Sequence, residues 1–240
     1  MSGHSKWSVI KRAKGVTDAR RSQVFTKLGH AITVAARLGG ADPTMNFRLR
    51  LAIEKAKAAS LPKDNIDRAI AKGSGTDGKQ IEEVTYEGFG PGGASLVIQT
   101  MTDNRNRTVT ELRTLLGKKG GNLGNENSVA WQFSSKGVLR ISADQLTGKD
   151  KDALELGCID AGADDVQDDP EGITTLCPPT DLPKLQTYIE TQKLTPASAD
   201  VELVPNTPLA LAEDENTKLH NLIEALEEHD DVTAVWTNAK

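Results

Sequence analysis

"VTYEGFGPGGASLVIQTM", residues 84–101, decides how this chain is read. Gly88, Gly90 and Gly93 stand at the G-x-G-x-x-G spacing of a dinucleotide-binding fingerprint. That fingerprint works where a helix follows, because the pyrophosphate rests on backbone N–H groups at the helix N-terminus. Here "ASLVIQTM" follows, an apolar run of strand formers, and the alternating "VTYE" precedes. Pro91 also removes a backbone donor from the middle of the loop. The segment is therefore expected to be a hairpin whose glycines supply positive φ, and the dinucleotide reading is set aside.

"GSGTDGK", residues 73–79, raises the same question for a P-loop, since Gly73, Gly78 and Lys79 satisfy G-x-x-x-x-G-K. A P-loop needs Ser or Thr next, for magnesium, and joins a strand to a helix. Gln80 follows Lys79 instead, with helical sequence before and alternating sequence after, so the segment reads as a linker.

Downstream of the hairpin, "TDNRNRTVTELRTLLGKKGG" opens on capping residues and continues as a helix burying Val109, Leu112, Leu115 and Leu116. "SVAWQF" is expected to be a strand, giving β-β-α-β over 80–133. The next stretch reads as strand "GVLRIS", a helix over 151–161, strands "DDVQ" and "GITTLC", a helix over 181–192 and strand "ADVELVP". That order, β-α-β-β-α-β, is the ferredoxin-like repeat. A last helix, with Leu219, Leu222, Ile223 and Leu226 on one face, and a last strand, "VTAVWTN", complete the middle β-β-α-β.

Upstream, Val24, Leu28, Ile32, Ala35 and Leu38 recur at helical steps and Gly39-Gly40 ends that helix. A second helix runs from about Asn46 to Ala59, and a third starts at Pro62 and stops at Gly73. Two helices around a tight "SLP" turn resemble a helix-turn-helix in outline, as any helical hairpin does. The expected fold class is α+β with three domains. Residues 1–75 form a basic three-helix domain, 76–133 with 206–240 a ferredoxin-like α+β middle domain, and 134–205 an acidic ferredoxin-like α+β domain inserted into it.

The net charge of −5 conceals a gradient. Residues 1–75 carry 15 Lys and Arg against 5 Asp and Glu, whereas 133–240 carry 8 against 22. Such a split fits one module meeting a polyanion while another stays away from it. The plainer alternative is a basic helical face folded onto the acidic half.

Chemistry-bearing constellations are sparse. His4, His30, His220 and His229 are scattered without metal-ligand spacing, and Cys158 and Cys177 lack a C-x-x-C partner, which suggests two buried reduced thiols. "DDVQDDPEG" invites a calcium reading, but counted from Asp165 a proline stands where the loop needs glycine. No nucleophile elbow occurs, so no catalytic residue, metal or cofactor is assigned. No apolar run reaches the ~18 residues of a membrane span or resembles a signal peptide, so the protein is expected in the cytoplasm without membrane contact.

Binding remains. "HSKWSVIKRAK" mixes Lys6, Lys11, Arg12 and Lys14 with Trp7, either as a polybasic arm whose Trp stacks on an unpaired base or as a cover for the helical bundle. Arg20, Arg21 and Lys27 on the first helix, and Arg48 and Arg50 on the second, extend the phosphate-contact candidates. Arg105 and Arg107 complete the set, because cations at a helix N-terminus oppose its dipole and need another reason to be there.

"GHSKW", "FTKL", "AARLGGADP", "RLRLAIEKAKAASLPKDNIDRAIAKGSG", "YEGFGPGG", "TDNRNRT" and "GGNLG" with "SVAWQF" resemble the signatures of the YebC/PmpR family. The match runs to about Gly137, with Phe47 and Asn127 departing from the family pattern and "KGVTDARR" less Lys- and Ala-rich than usual. The resemblance implies a cytoplasmic three-domain protein with a helical N-terminal domain and two α+β domains. It further implies a DNA-binding transcriptional regulator or, as in the related mitochondrial translational activator, a factor acting at the ribosome. DNA or ribosomal RNA is thus the expected partner, with the acidic domains as scaffold or protein-partner surface. A nucleotide-dependent enzyme is the competing class.

Overall fold

The computed structural model describes residues 18–75 and 81–240, with side chains placed from Val24 onward in the first helix. Within that range, residues 132–208 form one compact unit, and residues 18–131 together with 209–239 form another. No helix among the described residues is long and apolar enough to cross a membrane.

The larger unit begins with three helices, α1 (Asp18–Gly39), α2 (Phe47–Ala58) and α3 (Lys63–Ser74). Asn46 joins the first two. Its Oδ1 caps α2 by accepting the Leu49 N–H at 3.0 Å, while its Nδ2 donates to the carbonyls of Ala35 and Gly40 at 2.8 and 2.7 Å. The expected stripe on α1 is corrected at both ends, since Val24 and Leu38 are 39% and 66% exposed. The middle of α1 is instead buried on two sides. Ile32, Ala35 and Ala36 pack with Leu49, Ala56, Ile66 and Ala69 of α2 and α3, while Val34 meets Ile81 and Met101 of the middle domain. Gly73 is not a stop signal: α3 passes through it, and a Cβ there would lie 2.3 Å from the Thr33 carbonyl oxygen. The missing side chain lets α3 pack backbone to backbone on α1.

The middle domain is built on β1 (Glu82–Phe89) and β2 (Ser95–Thr102), paired antiparallel from Glu82–Thr102 to Phe89–Ser95. The three glycines of the opening segment have distinct jobs. A Cβ on Gly88 would meet the Asn122 carbonyl at 2.7 Å, one on Gly90 would meet Leu219 Cδ1 at 2.7 Å, and Gly93 turns the chain with φ +76°. After α4 (Arg105–Lys118) come the edge strand β3 (Asn122–Leu123) and, from the far end of the chain, α7 (Glu213–Glu227) and β8 (Val232–Thr237). The strand order is β3-β1-β2-β8. Leu112 and Leu116 of α4 and Leu219, Leu222 and Leu226 of α7 pack with Leu96 and Ile98 of β2 in one apolar cluster.

"SVAWQF" is not a strand before Phe133; it forms a bend and a 3₁₀ turn, and Asn122–Leu123 takes the sheet edge instead. The buried Glu87 carboxylate draws in the N–H groups of Asn127, Val129 and Ala130 at 2.7, 2.7 and 2.8 Å. Those donors are thereby lost to any ladder. Burial alone would raise the Glu87 pKa, but the backbone donors outweigh it and hold the group below the ordinary value.

The smaller unit runs β4 (Phe133–Ser142), α5 (Lys151–Asp160), β5 (Asp165–Asp169), β6 (Gly172–Cys177), α6 (Leu182–Thr191) and β7 (Ser198–Pro205). Its antiparallel order is β5-β6-β4-β7. Leu139 and Ile141 of β4 join Leu154, Cys158, Leu185 and Ile189 from the two helices in its core. Arg140, between them, points to the opposite face and forms a buried bidentate pair with Glu202 at 2.7 and 3.0 Å. Helices and antiparallel sheets segregate within both units, so the chain is an α+β protein.

Candidate nucleic-acid interface

The sequence-predicted cations divide into three groups. Lys6, Trp7, Lys11, Arg12 and Lys14 lie outside the described residues, and Arg20 and Arg21 lie on the first turn of α1, ahead of the first described side chain. A second group faces the protein itself. Lys27 Nζ donates to the Glu227 carbonyl at the end of α7, and Arg48 Nη2 pairs with Glu83 on β1 at 2.7 Å. Arg37, which joins them, donates to the Ile81 carbonyl at 3.2 Å. Burial lowers the Lys27 pKa, an effect partly offset by Glu227, Asp230, Asp231 and Glu228. These three cations dock the helical layer on the middle domain.

Arg105 and Arg107 have the same kind of explanation. Asn104 caps α4, accepting the Arg107 N–H at 3.1 Å, so the helix start is served without an anion. Arg105 Nε reaches Glu82 at 2.6 Å. Arg107 Nη2 meets both oxygens of the buried Asp231 at 2.9 and 2.7 Å, and Thr108 Oγ1 donates to the same carboxylate at 2.6 Å. Burial alone would raise the Asp231 pKa; the donors from Thr108 and Arg107 outweigh it, and the net shift is downward. The cations at this helix start therefore answer to Glu82 on β1 and to Asp231, the residue directly before β8, and no local spacing shows either partner.

Glu111, His229 and Asp231 bring ligand atoms within 4.8 Å of one another. Their mutual hydrogen bonds argue against a metal. His229 Nδ1 accepts the Asp231 N–H at 3.1 Å, so a neutral ring carries its proton on Nε2, which faces Glu111 at 3.1 Å. A metal on Nε2 would need that nitrogen's lone pair, and Asp231 is already committed to Arg107 and Thr108. The buried thiols of Cys158 and Cys177 are pushed up to about 11 by burial, which keeps them protonated and unreactive at neutral pH.

The third group is exposed. Arg48, Arg105 and Arg107 are exposed as well, but each pairs with a carboxylate; among the described side chains Arg50 is the sequence-predicted cation outside such a pair. It is joined by Lys55, Lys57, Lys63, Arg68 and Lys72 on α2 and α3 and by Arg113, Lys118 and Lys119 on α4. Arg50 and Lys57 share one face of α2, being seven residues apart. Helical periodicity could have singled them out; the inward turn of Lys27 and Arg48 could not be read that way, because it depends on a strand and a helix distant in sequence. The arrangement offers charge and hydrogen-bond donors on an outer helical surface, which suits phosphate contact.

Two family models cover the chain: the TACO1/YebC protein N-terminal domain matches residues 5–76, and the TACO1/YebC second and third domain matches 81–239. A relative from Desulforamulus reducens, named "Probable transcriptional regulatory protein", is 46% identical over 99% of this chain and 98% of its own. One of the same name from Moorella thermoacetica is 46% identical over 100% of this chain and 95% of its own. The crystal structure of a conserved hypothetical protein from Aquifex aeolicus superposes with a TM-score of 0.84 at 39% identity, covering 93% of this chain and 91% of that one. With the models spanning both the helical layer and the two α+β segments, the chain belongs to the YebC family.

Proposed function

We propose that this is a regulatory protein that binds nucleic acid through its helical layer, with duplex DNA as the target and transcription as the process regulated. The observation that carries this reading is the excess of 15 basic over 5 acidic residues in 1–75, together with the exposure of the cations on the outer faces of α2 and α3. The names of the full-length relatives point the same way. In this division of labour, residues 1–75 hold phosphates, while 76–133 with 206–240 and the acidic 134–205 act as scaffold and protein-partner surface without catalysing a reaction.

Binding of a duplex DNA fragment across a salt series tests it. Engagement of about five phosphates gives a log–log slope near −4 to −5. A flat response removes the electrostatic mechanism. Ribosomal RNA offers the same phosphates, so a competition in which RNA displaces DNA far below stoichiometric excess reassigns the process to translation. Arg20→Glu with Arg21→Glu is expected to weaken binding without altering the melting transition; unchanged affinity clears those two residues. A thermal-shift panel with NAD, ATP and GTP addresses the enzyme alternative, which a clear stabilisation would revive.

A further inference from the structure

A cleft of about 360 Å³ lies against α2, lined by Pro43, Thr44, Arg50, Ile53, Glu54 and Lys57. Its size falls within the ~300–1,000 Å³ of sites that take small organic groups. The lining combines three chemistries. Ile53 is half-buried, anchored on the bundle core, and with Pro43 supplies apolar surface. The Arg50 guanidinium lies over the Phe47 ring, 5.3 Å from its centroid, and donates to the Pro43 carbonyl at 3.4 Å, two contacts that keep it beside the cleft. The guanidinium is exposed and planar, so an aromatic ring entering the cleft can stack on it. Glu54 is exposed in the same wall. A carboxylate there repels a phosphate but accepts the amino N–H of a base edge.

We infer that this cleft holds one unpaired nucleobase carrying an exocyclic amine. The base stacks against Arg50 and rests on Ile53, Glu54 accepts the amine, and Lys57, two turns along the same helix face, meets the adjoining phosphate. Met45, next to Thr44 in the chain, is 85% exposed and offers a further apolar side chain on the same loop. The inference rests on the nucleic-acid reading above and adds to it a site for a single base out of its pair.

The test uses the full chain with labelled 12-residue oligo(dC) and oligo(dT) and a 12-base-pair duplex, at two salt concentrations. Arg50→Lys keeps the charge and removes the planar stack. It is expected to weaken oligo(dC) binding about five-fold more than it weakens duplex binding, with the melting transition as the check on folding. Glu54→Gln is expected to reduce the preference for oligo(dC) over oligo(dT). Should the duplex bind with a steep salt slope while Arg50→Lys changes single-strand affinity no more than duplex affinity, the cleft falls and the wider reading stands. Should neither polymer bind the unaltered protein, both fall.

Discussion

The helical layer and the smaller α+β unit use their cations in opposite ways. In the smaller unit, Lys136, Arg140, Lys151 and Lys184 each pair with a carboxylate of the same unit: Asp164, Glu202, Asp168 and Asp181. In the helical layer, Lys27, Arg37 and Arg48 are turned toward the middle domain, and Arg50, Lys57, Lys63 and Lys72 are left outside. A charge count along the sequence therefore overstates the basic surface of one region by its docking cations, whereas in the other, where acids outnumber bases, these four cations are already matched within the unit. The difference separates charge that builds the protein from charge available to a partner.

The largest expected effect lies in the buried pair of the smaller unit. Arg140 and Glu202 have side chains 3% and 6% exposed. Replacing Glu202 with Ala strands a buried guanidinium and should destabilise that unit by about 3–5 kcal/mol, measured by urea unfolding. A loss below about 1 kcal/mol would place the pair with ordinary surface pairs and blur the contrast.

Charge reversal sharpens the other side of the comparison. Arg50→Glu with Lys57→Glu should weaken DNA binding at least ten-fold and flatten the salt slope by about 2, whereas Lys151→Glu in the smaller unit should leave both unchanged. Equal effects from the two regions would show that location carries no information about contact.

Acidification probes the buried side of the helical layer. His30 is held below its ordinary pKa of 6.5 by burial and by Lys72. Because the folded state favours the neutral ring, the stability this contributes is complete above about pH 6.5 and is lost as pH falls through the folded value. A thermal melt series from pH 8 to 5 should show a decline that His30→Gln reduces; parallel curves would remove His30 as a source. The smallest effect belongs to the docking pair Arg48–Glu83, whose side chains are 48% and 21% exposed. Arg48→Ala should cost no more than about 1 kcal/mol, and a larger loss would show this pair as a principal hold between helices and sheet.

The elements themselves were legible because their signals are local. The G-x-G-x-x-G segment reads as a hairpin from its flanking strands, and the order of elements in the smaller unit follows from alternation and turn residues. The misreadings share one cause. "SVAWQF" has strand composition, yet its N–H groups answer to Glu87, about 40 residues earlier. Gly73 looks like a stop, yet it is spaced for the carbonyl of Thr33. Leu38 continues a periodic stripe, yet ends exposed because α1 buries its middle on two sides.

By itself the sequence determined the fold class, the family and the basic character of the first 75 residues, since composition, periodicity and long signatures are properties of neighbouring residues. Tertiary structure alone decided which cations remain available. Arg107 finds its partner 124 positions away at Asp231 and Lys27 its partner 200 positions away at Glu227. An ion pair or a docking hydrogen bond depends on distance in space, and only the folded chain sets that distance.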